Sequence, residues 1–197
     1  MAVKDGLAGS EVLMAAIEVF GERGVADTRV EDLLAAAGLA RRTFYKQYSS
    51  KEDVLTKLYE HVTQQLVVTV FQARFSARDP LSGLRAALDA YLLFHVENHR
   101  IVRVLVQEAI RSESPLAPMR TRFRSSLVQA LDEAVALSTG IHLDPYVFLA
   151  LISGLEGLSL ELLAGEPSKA DIERARAVCL GLVQATVSAA GDMPKAL

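Results

Sequence analysis

The chain has 197 residues, 51% of them apolar and 23% charged, with a net charge of −3. This length and apolar content are enough to bury a sizeable core, which excludes a disordered chain. The acidic balance excludes a protein that coats nucleic acid without selectivity, and the single cysteine, Cys179, excludes a disulfide framework or a cysteine-based zinc site.

The first residues, MAVKDGLAGSEV, have no apolar core of signal-peptide length. The most apolar stretch, near 146–163, is interrupted by Glu156 and Glu161. A cytoplasmic protein without a membrane span is expected.

Residues 10–23 place Val12, Leu13, Ala16, Ile17, Val19 and Phe20 at helical spacing, with Ser10 as a candidate cap and Gly24 as a stop. Thr28 and Glu31 then fit a capping box for a short helix ending at Gly38. After the Gly38–Leu39 turn, ARRTFYKQ forms a second short helix, and Ser50 caps a third with Glu52 and Asp53 in its first turn. That helix runs to about Phe75. Its LVVTVF segment favours a strand but sits in a helical pattern without turn signals.

Further helices open at Asp79–Pro80, Ile101, Leu116, Asp144–Pro145 and Ser168. The spacing predicts an all-α chain of about nine helices. Residues 1–50 form a three-helix unit and residues 51–197 a larger bundle. Cys179 falls on an apolar helical face and reads as a buried structural thiol.

The 38–54 stretch, GLARRTFYKQYSSKEDV, concentrates cations and aromatics. Two short helices joined by a tight turn containing Gly make a helix-turn-helix, whose second helix can enter the DNA major groove. At about 100° per residue, Phe44 and Tyr48 share one face, while Arg42 and Lys46 lie about 160–200° away on the other. An arginine there can donate two hydrogen bonds to a guanine edge, and the Thr43 methyl can touch thymine. Tyr45, Lys46 and Lys51 suit phosphates, as does Thr28 on the preceding helix. An ordinary amphipathic helix with a solvated cationic face is the alternative. Residues 1–60 carry eight Lys/Arg against ten Asp/Glu, so any DNA site must be local.

These residues also carry a resemblance. The segment AAIEVFGERGVADTRVEDLLAAAGLARRTFYKQYSSKEDVL is similar to the DNA-binding region of TetR-family transcriptional regulators, down to the AAG turn and TFYKQYSSKE. The resemblance implies DNA contacts from Thr28, Arg41, Arg42, Thr43, Tyr45, Lys46 and Lys51. This chain departs from the family pattern at Ala40, where a Ser or Thr cap is common, and at Tyr48, where Phe is commoner. It also implies that the bundle binds a ligand and dimerises.

Within the bundle, Ala150, Ser153, Gly154 and Gly157 make a small-residue stripe. Ile172, Ala175, Val178, Cys179, Leu182, Val183 and Thr186 repeat at a/d-like spacing on the last helix. Two such helices from each chain can build a four-helix homodimer interface; packing within one chain is the alternative. Candidate pocket residues are Tyr91, Phe94, His95, Glu108, Arg111, Met119, Phe123 and Phe148, with His99 and Arg120 nearby.

His95 and His99 are at i, i+4, but no HExxH-like motif accompanies them, so no metal is expected. Arg120, Arg122 and Arg124 read as a solvated face. No phosphate loop or nucleophile motif appears, and neither enzyme activity nor a cofactor is expected. The expected function is a homodimeric repressor that binds a palindromic double-stranded DNA operator and is released by a small, largely apolar effector. The rivals are a helical adaptor and a small helical enzyme.

Overall fold

The computed structural model describes residues 3, 7, 10–165 and 167–192, leaving aside the side chains of 80, 81, 138, 139 and 187–192. Among these residues nine helices follow in order: α1 (Glu11–Arg23), α2 (Val30–Ala37), α3 (Arg41–Phe44), α4 (Lys51–Phe75), α5 (Pro80–Glu97), α6 (His99–Ile110), α7 (Ala117–Thr139), α8 (Pro145–Leu162) and α9 (Lys169–Asp192). The all-α expectation holds, and LVVTVF is continuous helix within α4.

The apolar stripe of α1 is buried from Val12 to Phe20, and the chain leaves the helix through Gly24 at φ +76°. Gly38 ends α2 in the left-handed region, at φ 65° and ψ 30°, where a side chain would be strained.

Two expected caps are not made. The Ser10 hydroxyl leaves the start of α1 uncapped and instead meets the Tyr48 hydroxyl at 3.2 Å. Thr28 is 1% exposed, and its hydroxyl donates to the Gly24 carbonyl at 2.7 Å. The cap of α2 is supplied instead by Asp32, which accepts from the Arg29 amide at 2.8 Å. The physical reason is burial: an unmet carbonyl inside the core costs more than a helix-start amide that water can reach. By contrast, Ser50 caps α4 by accepting from the Asp53 amide, and Asp53 accepts from the Ser49 amide at 2.9 Å. That backbone bond holds the Asp53 carboxyl below its ordinary range.

α1 packs on both α4 and α6, and one core joins Phe20, Leu33, Phe44 and Leu55 to Phe94, Ile101 and Leu105. Apolar packing therefore runs across residue 50. Farther along, α4 lies against α5, α9 against α5 and α8, and α7 against α6 and α8. Cys179 is buried beside Leu88 and Leu180, which pushes its thiol up. α8 is long and apolar enough to cross a membrane by length and composition alone, yet only 11% of that window is buried. Its contacts with α7 and α9, and the ion pairs of Glu156, mark it as a surface helix of the bundle.

Candidate nucleic-acid interface

The reading helix is short. After α3 the backbone tightens, with the Gln47 and Tyr48 amides both donating to the Phe44 carbonyl at 2.9 Å. Phe44 is fully buried and Tyr48 is 6% exposed, while Arg42, Tyr45 and Lys46 face solvent and Thr43 is half-buried. The two faces fall where the wheel puts them. Among the described residues Arg42 and Lys46 make no side-chain hydrogen bond or ion pair, so both cations are presented rather than used internally.

Arg41 is held differently. Its guanidinium meets Glu31 at 2.7 Å and lies 5.9 Å from the Tyr45 ring centroid. The Glu31 and Arg41 side chains are both more than half exposed, so this pair is weak and a phosphate can displace it.

Two lysines of α4 fasten the unit from behind. Lys51 donates to the carbonyls of Val25 (2.7 Å), Ala26 (3.3 Å) and Thr28 (2.7 Å). Its ammonium has three protons and all three are engaged. Lys51 is thus a brace on the α1–α2 turn, a correction to its expected role as a phosphate ligand. The same holds for Thr28, whose hydroxyl points into the core. Thr28→Val should cost about 1–2 kcal/mol in a denaturant titration and leave DNA affinity per folded molecule unchanged.

Lys57, which the sequence reading missed, donates to the Gln47 carbonyl at 2.9 Å and sits 4.6 Å from the Tyr48 ring centroid. The Asp53–Lys57 i,i+4 spacing was its one visible signal. Glu31 was also missed as the partner of Arg41.

A cationic edge on a short helix, backed by a capped helix, is a DNA-reading arrangement. Residues 12–58 match the family model for bacterial regulatory proteins of the tetR family. The chain thus carries a tetR-type DNA-binding segment.

Its likeness to HTH-type regulators extends beyond that segment. It is 23% identical over 151 residues to the HTH-type transcriptional activator FasR of Mycolicibacterium smegmatis, covering 77% of this chain and 68% of that protein. It is 31% identical over 101 residues to the HTH-type transcriptional regulator AcrR of Shigella flexneri, covering 50% and 46%. A solved transcriptional regulator from Rhodococcus sp. RHA1 superposes with a TM-score of 0.75 at 19% identity, covering 93% of this chain and 98% of that one. At that identity the likeness is one of fold.

In this chain the expected pocket residues are only partly brought together. The Tyr91 and His95 rings stack at 4.1 Å on α5, next to Phe94. Burial drives the His95 pKa down to about 4, so the ring is neutral at physiological pH, and its Nδ1 lies 2.8 Å from the Tyr91 carbonyl. Phe148 is buried, Phe123 half-buried, and Met119 packs on the main core.

Glu108 and Arg111 are not brought in. They pair with each other at 3.4 Å, and Arg111 also holds Glu113 at 2.9 Å, at the exposed end of α6. Mutual attraction in water replaces any need for burial there. His99 is exposed, and no cluster of three His, Cys, Asp or Glu suited to a metal occurs among the described residues. Two open clefts, of about 290 Å³ between α4 and α5 and about 440 Å³ between α8 and α9, include Phe94 but none of the other expected pocket residues.

Arg120 and Arg124 also depart from expectation. They turn inward to Glu156, and only Arg122 of the three faces solvent.

The expected interface residues divide. Ala150, Ser153, Gly154 and Gly157 form an exposed stripe on α8, and a Cβ added at either glycine would meet nothing within 4 Å. Leu182 is 55% exposed on α9, beside exposed Val178. Ile172, Val183 and Thr186 are half-buried, whereas Ala175 and Cys179 are buried within the chain, Cys179 against Leu88. Those two inward positions serve the chain's own core.

Proposed function

We propose that this protein is a homodimeric repressor that reads a palindromic DNA operator and is released by a small, largely apolar effector bound in the helical bundle. The observation that carries the DNA part is the exposure of Arg42 and Lys46 on one face, with Phe44 and Tyr48 buried on the other. One short reading edge recognises too few bases to select a site, and a two-fold pair reads half-sites about 34–36 Å apart. The exposed apolar surface of α8 and the outward Val178 and Leu182 of α9 support pairing through these helices.

Release follows if the effector favours a state whose two reading helices no longer match successive grooves. It acts only through its differential affinity for the two states.

A salt titration against duplex DNA tests the reading. Four phosphate-neutralising cations per subunit would give a log–log slope of about −7; with Lys51 withdrawn as a brace, three per subunit give about −5. A slope near zero would favour a helical adaptor or an enzyme whose first unit does not bind DNA. Transcription from a template bearing the selected site then reads the sign of regulation: a fall marks a repressor, and a rise marks an activator, as FasR is named.

A further inference from the structure

One half-buried polar cluster lies between α7 and α8, away from the DNA-binding unit. Arg120 and Arg124 of α7 both reach the same oxygen of Glu156 on α8, Oε2, at 2.6 and 2.7 Å. The three side chains are 24%, 14% and 22% exposed, so water screens them only in part. Two cations share one carboxylate, which leaves an excess of one positive charge.

Arg124 is otherwise well used, donating to the Leu149 carbonyl and the Ser153 hydroxyl. Arg120 is not: its Nε–H is buried without a partner. In a guanidinium, Nε–H and one Nη2–H point the same way along one edge, and a carboxylate with both oxygens free fits that edge. Glu156 takes Nη2 alone, so the edge is half-filled. The facing groups are uncharged: the Tyr59 hydroxyl of α4, and Tyr91 of α5, whose hydroxyl bonds to Ser159. Burial keeps both phenols protonated as donors.

We infer that the effector carries an anionic carboxylate head, which fills the Nε–Nη2 edge of Arg120 in competition with Glu156. This deepens the proposed function and rests on its claim that the bundle takes an effector. An unpaired buried donor and an unbalanced cation are both satisfied by one carboxylate, whereas an ammonium or a neutral head satisfies neither. The apolar body would run along the Tyr91–His95 side of α5. Because Glu156 ties α7 to α8, an acid that displaces it loosens that contact. A ligand without a negative charge has no such leverage.

The test uses the full-length protein without DNA and reads binding by calorimetry and thermal shift. The probes are acid, alcohol and amine heads matched on three bodies: decyl, 4-phenylbutyl and cyclohexyl. For at least one body the acid should bind about tenfold tighter than its alcohol, and the amine weakest. Glu156→Gln, which keeps the shape but removes the competitor, should tighten the acid and leave the alcohol unchanged. Arg120→Gln should erase the acid's advantage; if that variant does not fold, Glu156→Gln decides.

Equal ranking of heads on all three bodies, preference for the amine, or an acid affinity indifferent to Glu156→Gln would overturn the inference. Operator release is measured separately. An acid that binds as described but does not release DNA counts against the regulatory reading and leaves the head-group assignment standing.

Discussion

The double reversal Arg42→Glu with Lys46→Glu is expected to abolish operator binding while the protein stays folded. Both side chains are exposed and make no internal ion pair among the described residues, so the fold loses nothing it was using. In the proposed dimer the DNA loses four attractive charges and meets four repulsive ones. Affinity should fall at least about 10³-fold at physiological salt, with the log–log slope collapsing from about −5 towards zero. Filter binding or fluorescence anisotropy measures both, and circular dichroism confirms the fold. Retained affinity would place the DNA contacts elsewhere.

Lys51→Met should behave in the opposite way. Removing the ammonium strands the carbonyls of Val25, Ala26 and Thr28, a loss of about 2 kcal/mol from charge-assisted bonds. For a chain of this size that lowers Tm by about 4–8 °C. DNA binding should weaken as the turn loosens, but the salt slope should stay at its wild-type value, because no phosphate contact has been removed. A phosphate ligand would instead lower the slope by about 0.9 per site. Calorimetry and the salt titration together separate a brace from a contact.

Which parts were legible in the sequence follows from how local the physics is. The inward Phe44 and Tyr48 and the outward Arg42 and Lys46 follow from one helical period. Ser50 with Asp53, and Ser168 with Asp171, are caps closed within four residues, and both form. Thr28 and Lys51 were misassigned because their partners are set by tertiary packing. A threonine before a helix resembles a cap until the carbonyl of Gly24 is placed beneath it. A lysine at a helix start resembles a phosphate ligand until a turn some 25 residues upstream is folded against it.

The same limit hid the inward turn of Arg120 and Arg124, since nothing near them in sequence announces Glu156, 32–36 residues away. Tyr48, the departure from Phe, found its partner across a comparable gap, in Ser10.

α4 spans 25 residues, about 37 Å at the helical rise. Its first two turns are riveted to the DNA-binding unit at both ends: Lys51 grips the turn before α2, and Lys57 grips the end of the reading helix. The shaft is long and the rivets sit at one tip, so α4 has the geometry of a lever. A tilt of about 5° pivoting near Phe75 would swing that tip by about 3 Å. In the proposed homodimer, with two subunits moving in mirrored senses, the spacing between reading helices would change by about 6 Å, close to a fifth of a DNA turn. Under the proposed release, a small adjustment deep in the bundle would then be enough to lose the groove.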